Sequence, residues 1–232
     1  MLNEAVVDVI IPAFNERESV GRVIADIDKN LVREIIVVDN NSTDDTRMNA
    51  LAAGATVLHE RKRGYGAACL KGIAYVREKS IPPDIVVFLD SDYSDHPEEM
   101  AQVIAPIIQA DYDLVIGSRA LGNRERGSMT AQQLIGNWLA SRLLRMIYHI
   151  HFTDLGPFRA IRWNKLLQLS MIDQTYGWTA EMQVKAAKQK FKCTEVPVSY
   201  RRRIGVSKVS GTVKGTLLAG YKIITTIFKY AR

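Results

Sequence analysis

Five short apolar runs, at residues 6–11, 34–39, 56–58, 85–90 and 114–118, alternate with helix-period segments at 19–30, 44–53, 67–79 and 97–109. Runs this short and this rich in Val and Ile suit strands buried on both faces. Intervening helices return the chain to the edge where the next strand begins, which favours parallel pairing. The pattern predicts an α/β fold, a mainly parallel sheet with helices on both faces. In such sheets ligands bind beyond the carboxyl ends of the strands.

Polar clusters sit at those ends: Asn15-Glu16, Asp39-Asn40-Asn41-Ser42, Asp90-Ser91-Asp92 and Gly117-Ser118-Arg119. Loops are polar anyway, but that accounts less well for acids that repeatedly end buried strands. Asp90 and Asp92 are two positions apart, so extended backbone directs both carboxylates to one face. Two hard oxygen donors there can hold Mg²⁺ or Mn²⁺, which normally completes its shell with phosphate oxygens and water. Asp39 ends its run in the same way and could accept hydrogen bonds from a nucleobase or ribose; it could also cap the next helix, a task for which Asn41, Ser42 and Asp44 compete. Arg61-Lys62-Arg63-Gly64-Tyr65-Gly66 joins a basic patch to two glycines before a helix. Glycine allows close backbone approach and a helix N-terminus favours phosphate, although a turn alone would also explain the pair.

The second half is less regular: a long amphipathic helix at 130–149, a loop entering a short strand at 154–161, a helix at 178–189, a strand at 193–200 and a last helix at 212–230. No repeat or linker divides it, so we expect one domain over residues 1–210 followed by an amphipathic helix at 211–232. The 232 residues carry a net charge of +6, and residues 201–232 hold eight Lys and Arg with no Asp or Glu. That asymmetry points to an anionic partner. Carboxylates along the rim argue against nucleic acid. Two distant cysteines give no disulfide framework, and neither a signal-like leader nor an 18-residue apolar run is present. The expectation is a cytoplasmic protein, if membrane-associated then at the inner face.

Val9-Ile10-Ile11-Pro12-Ala13-Phe14-Asn15-Glu16, Ile36-Val37-Val38-Asp39-Asn40-Asn41-Ser42, Gly64-Tyr65-Gly66-Ala67-Ala68, Leu89-Asp90-Ser91-Asp92 and Gly117-Ser118-Arg119 occur in order. Together they resemble the family-2 inverting glycosyltransferases of the Rossmann-like GT-A fold, near the dolichyl-phosphate mannose and glucose synthase branch. The resemblance implies a UDP- or GDP-sugar donor, with Pro12, Phe14, Glu16 and Asp39 lining the nucleotide site; Gly64, Gly66 and Ser91 are expected to join them. It implies that Asp90 and Asp92 act through a metal, and that Arg119 holds phosphate of donor or acceptor. It also suggests a basic closing loop around residues 200–208, where Arg202 and Lys208 are the preferred phosphate contacts.

The acceptor is read less directly. A hydroxyl acceptor needs a general base, for which Glu181 and Asp154 are candidates; an anionic polyprenyl phosphate does not. Where polyprenyl-phosphate mannose synthases tend to carry an Arg and a Ser, this chain has Gln132, Gln133 and Asn137, which can hydrogen-bond phosphate without neutralising it. Leu217, Leu218, Tyr221, Ile224, Thr225 and Phe228 can form an apolar stripe with Lys214, Lys222 and Lys229 elsewhere around the helix. Such a helix can lie on an anionic membrane, pack on its own domain or make a homodimer contact.

Overall fold

A computed structural model describes residues 5–205 and 213–230, with side chains of the last helix described from residue 218. The strands are β1 (Val7–Ala13), β2 (Glu34–Asp39), β3 (Thr56–His59), β4 (Ile85–Phe88), β5 (Leu114–Ser118), β6 (Arg159–Arg162) and β7 (Cys193–Pro197). The helices are α1 (Val20–Asp26), α2 (Thr46–Ala52), α3 (Tyr65–Arg77), α4 (Met100–Ala110), α5 (Ala131–Tyr148), α6 (Trp163–Leu169), α7 (Trp178–Lys188) and α8 (Val213–Lys229). A 3-10 turn, Pro97–Glu99, leads into α4.

One seven-stranded sheet runs in the order β3-β2-β1-β4-β6-β5-β7. All neighbours pair in parallel except β6, which is antiparallel to both β4 and β5. The exception has a physical origin. The loop after α5 reaches the sheet at the rim where the parallel strands end, bringing Gly156 against the Gly117 carbonyl; a strand that starts at that rim must run back the other way.

Side chains alternate between two cores, as a doubly covered sheet requires. Ile10, Ile36, Val38, Val86, Phe88 and Ile116 pack with Ala68, Leu144, Trp178 and Val184, on α3, α5 and α7. Val9, Ile11, Val37, Val87 and Val115 face Val23, Ile24, Val103 and Ile107, on α1 and α4. Phe88 meets Trp178 edge to face at 5.8 Å between ring centroids, and truncating either to Ala would cost about 3–5 kcal/mol.

Thr130 caps α5 in a reciprocal box with Gln133, which satisfies two backbone donors at the helix start. Helix α6 has no counterpart in the sequence reading, and α1 and β7 are shorter than expected. Helix α8 packs on α5 and α7. Thr226 and Ile227 on α8 are buried, whereas Leu218, Tyr221 and Phe228 face outward. The expected apolar stripe is therefore mostly the helix's outer face.

Candidate active site

The end of β4 is fastened to the end of β1 by the Ser91 hydroxyl, which donates to the Pro12 carbonyl at 2.9 Å. Asp92 Oδ1 accepts the Ser94 backbone N–H at 2.9 Å together with the Ser94 hydroxyl. Asp92 Oδ2 lies 3.0 Å from the Arg203 guanidinium. Asp90 Oδ1 is shielded from solvent and makes no geometrically sound hydrogen bond among the described residues. Burial, and then the Asp92 carboxylate, push the Asp90 carboxyl up to about 7. A shielded carboxylate oxygen with no internal partner is costly unless something binds it.

Two cavities open onto this pair. The smaller, about 350 Å³, is lined by Pro12, Phe14, Glu16, Asn40, Arg63, Gly64 and Ser91, with the Arg63 guanidinium 3.6 Å from the centre of the Phe14 ring. The larger, about 620 Å³, runs between the rim, the 127–130 loop, α5 and α8, and includes Arg119, Gln132, Asn137, Thr179, Tyr200, Arg202, Gly220 and Ile223. Tyr65, Asp90, Asp92, Tyr176 and Arg203 line both.

Of the residues singled out in the sequence, the structure brings Pro12, Phe14, Glu16, Gly64, Asp90, Ser91 and Asp92 to the smaller cavity, and Arg119 and Arg202 to the larger. Asp39 is not among the lining residues. Its carboxylate accepts the Ser42 N–H at 3.1 Å and lies 3.2 Å from His59 Nδ1. The neighbouring Asn40 lines the cavity instead, tying the Lys62 carbonyl to the Gly64 N–H at 2.7 and 2.8 Å.

The glycine pair needs a correction. The first amides of α3 do not point freely at a phosphate, because Ala67 and Gly66 donate to the carbonyls of Gln174 and Thr175 at 3.0 and 3.3 Å. A Cβ on Gly64 or Gly66 would sit 2.1 Å from the Gln174 or Asp173 carbonyl oxygen. Glycine is required for this backbone contact, and at Gly64 also for its φ of +145°.

Glu181 is likewise not where a general base must be. It is fully buried and absent from the lining of both cavities, and its carboxylate accepts the N–H groups of Ile172 and Asp173, the Tyr230 hydroxyl and the Lys185 ammonium. Asp154 is clamped in two parallel bonds of 2.7 Å by Arg119, whose backbone N–H adds a third at 2.8 Å. Burial alone would raise the Asp154 carboxyl, but Arg119 outweighs it and holds the group below its ordinary value, which leaves it a poor base. Gln133 Oε1 serves the α5 cap. Asn137 bonds Thr153 O and the Leu155 N–H at 3.0 and 2.8 Å, fixing the Asp154 loop. Lys208 lies outside the described residues.

Arg203, and not the preferred Arg202, is the arginine of the run that reaches the carboxylate pair. The 199–204 segment is extended and laced to the rim, with Arg201 N–H donating to Ser94 O at 2.9 Å and Ile204 N–H to Asp92 O at 3.0 Å. Extended backbone sends alternate side chains to opposite sides. Arg201 and Arg203 turn to the rim, bonding Tyr93 O and Glu16, while the Arg202 side chain turns to Arg126 O and lies 3.7 Å from the Glu125 carboxylate. That alternation was the available signal. Tyr65 and Tyr200 lay within segments already singled out, whereas Tyr176 had no such signal.

A mainly parallel sheet with acids and arginines gathered over its carboxyl rim is the frame of an α/β enzyme whose site lies at the strand ends. Residues 8–169 match the family model described as glycosyl transferase family 2, and the chain belongs to that family. It is 34% identical over 214 residues to an uncharacterized glycosyltransferase of Mycobacterium tuberculosis, covering 92% of this chain and 94% of that one. It is 31% identical over 220 residues to an undecaprenyl-phosphate mannosyltransferase of Micrococcus luteus, covering 89% and 88%. Among solved structures, glucosyl-3-phosphoglycerate synthase from Mycobacterium tuberculosis, in complex with Mn²⁺, UDP and phosphoglyceric acid, superposes with a TM-score of 0.79 at 23% identity, covering 99% of this chain and 81% of that chain. The fold is thus GT-A, and the protein is a glycosyltransferase.

Proposed function

We propose that this glycosyltransferase moves a hexose from a UDP- or GDP-sugar to a polyprenyl phosphate, with inversion at the anomeric carbon. The observation that carries the reading is the junction of two unequal cavities at one carboxylate pair. The smaller suits a nucleotide, with Phe14 and Arg63 as a stacking surface; the larger suits an acceptor.

Asp90 and Asp92 fit a divalent cation: both offer hard oxygens at a strand end, and among the described residues Asp90 Oδ1 makes no geometrically sound hydrogen bond. Bound Mg²⁺ or Mn²⁺ would neutralise charge on the leaving diphosphate. The Mn²⁺ and UDP in the solved relative support this assignment. Arg203, now balancing Glu16 and Asp92, is placed to turn to diphosphate oxygens. Arg119, fixed in orientation by Asp154, faces the larger cavity and the acceptor phosphate, with Arg202 as a second contact.

In the reaction an acceptor phosphate oxygen forms the new bond to C1 as the bond from C1 to the diphosphate oxygen breaks, and that electron pair leaves with the nucleoside diphosphate. An anionic phosphate has no proton to lose, so no base is required. The lining supports this choice: among the described residues, the carboxylates facing the larger cavity are Asp90 and Asp92 alone.

The acceptor's apolar chain has a path. Gly136, Ala219, Gly220 and Ile223 line the cavity between α5 and α8, and beyond them Ile135, Trp138 and Tyr221 are 64%, 60% and 70% exposed. Neither helix contains Asp or Glu, whereas Arg142, Arg145, Lys222 and Lys229 lie on them. An apolar face with basic flanks suits an anionic lipid surface at the inner face of a membrane. Among the described residues no helix is long and apolar enough to cross a membrane, so the proposed contact is peripheral. The relative that is an undecaprenyl-phosphate mannosyltransferase supports a lipid phosphate. The alternative, a soluble or glycan acceptor, is favoured by the solved relative holding phosphoglyceric acid.

The test is a transfer assay with UDP- and GDP-sugars, Mn²⁺, and either polyprenyl phosphate in vesicles or soluble hydroxyl and phosphorylated acceptors. Sugar in the lipid phase supports the proposal. Transfer to soluble acceptors alone would replace it with the alternative.

A further inference from the structure

We infer that Glu181 is a positioning residue that couples the seating of α8 to the wall of the nucleotide cavity; the inference rests on the glycosyl transfer proposed above. Its carboxylate collects donors from three places: the N–H groups of Ile172 and Asp173 at 3.2 and 2.7 Å, the Tyr230 hydroxyl just beyond α8 at 2.8 Å, and the Lys185 ammonium of its own helix at 2.7 Å. A carboxylate accepts about four hydrogen bonds. Glu181 is thereby saturated, which suits fixing neighbours better than moving a proton.

The turn that Glu181 holds is the one pressed onto the start of α3. Gln174 and Thr175 take the Ala67 and Gly66 N–H groups, and the contact leaves no room for a methyl group at Gly64 or Gly66. A displacement of the turn must therefore move Gly64 and Tyr65, which line the nucleotide cavity, and Tyr176, which lines both. Close-packed backbone transmits such shifts rather than absorbing them.

Helix α8 is joined to the same turn a second time, by Lys222 to Asp173 at 3.0 Å. Asp173 also accepts the Thr175 N–H at 2.7 Å. A Cβ at Gly177 would fall 2.5 Å from Thr226 Oγ1 of α8 and 2.6 Å from Asp173 Oδ2. The helix that supplies Ala219, Gly220 and Ile223 to the acceptor side is thus tied, through one carboxylate and one turn, to the glycine pair on the donor side. The link is a contiguous set of packed and hydrogen-bonded groups, which is what a coupling between two sites physically requires.

Tyr230→Phe is the mild variant, since it removes one hydroxyl that touches neither cavity; Glu181→Gln keeps the shape and removes the charge. Tyr75→Phe is the control, because the Tyr75 hydroxyl donates to Glu34 at 3.0 Å far from the site. The full chain is titrated with UDP and with GDP in Mn²⁺ by calorimetry, and donor KM and kcat are measured for transfer. Tyr230→Phe and Glu181→Gln should weaken nucleotide binding and raise donor KM about 3- to 30-fold, with kcat changed less, while Tyr75→Phe leaves affinity at the wild-type value. Wild-type affinity in both folded variants would overturn the coupling and leave the transfer reading intact. Loss of a protonation step from the kcat/KM profile of Glu181→Gln would make it a base and overturn the positioning role. If the wild-type protein binds no nucleotide, the transfer reading fails, and this inference with it.

Discussion

Arg203 joins two acids from different strand ends: one guanidinium nitrogen lies 3.0 Å from Asp92 Oδ2, and the other holds Glu16 Oε1. The cation sits between carboxylates that would otherwise repel, at the junction of the two cavities. A group in that position can exchange carboxylates for diphosphate oxygens with little net change in charge pairing. Arg203→Ala should raise donor KM by about 10- to 100-fold, the size of a lost charge-assisted hydrogen bond. Arg202→Ala should leave donor KM near wild type and raise acceptor KM instead. Steady-state kinetics with each substrate varied in turn separates the two.

The clamp between Arg119 and Asp154 makes a prediction about stability and pH. Arg119 holds the Asp154 carboxyl below its ordinary value against the upward push of burial. The folded value being the lower one, the stabilisation is complete above the ordinary carboxylate value near 4 and is lost as pH falls through the depressed value. Asp154→Asn leaves a buried guanidinium without its counter-charge and should cost about 3–5 kcal/mol at pH 7. Urea denaturation should show the gap between wild type and variant closing below about pH 4.

Gly66→Ala tests the packing behind the smaller cavity. Its Cβ would lie 2.1 Å from the Asp173 carbonyl oxygen, so α3 and the 173–175 turn must separate. Overpacking of this kind costs about 1–3 kcal/mol. A lower Tm with raised donor KM is expected, whereas Gly136→Ala, which meets nothing within 4 Å, should leave Tm near wild type.

The strands and the acids at their ends were legible because burial on both faces and the parallel return of the chain are local, periodic facts. Asp90, Asp92, Glu16 and Phe14 fell where strand ends must place them. The antiparallel β6 was not legible, since its direction depends on where the loop after α5 meets the sheet. Gly64 and Gly66 were seen, but their partner lies more than a hundred residues later in the chain, and no spacing reveals a carbonyl pressed on them. Glu181 misled for a related reason: a helix acid near an acceptor region looks exposed until α8 and the 172–175 turn close over it.

The outward residues of α5 and α8 give a lipid prediction. Trp138→Glu and Tyr221→Glu, each replacing an exposed aromatic with a negative charge, should reduce sedimentation with phosphatidylglycerol vesicles and raise the apparent KM for vesicle-borne polyprenyl phosphate. Soluble nucleotide affinity should not change. Equal vesicle binding by wild type and both variants would argue for another occupant of this face, a second copy of the chain being the one that a change in oligomeric state would reveal.

The most direct measurement of the central claim is transfer of labelled hexose to polyprenyl phosphate by the wild type and by Asp92→Ala, with Mn²⁺ and with excess chelator. The account predicts lipid-linked product only from the wild type with metal, and a loss of at least about 100-fold in Asp92→Ala, with its thermal unfolding still cooperative. Undiminished transfer by Asp92→Ala, or by the wild type in chelator, would contradict the role given to the Asp90 and Asp92 pair.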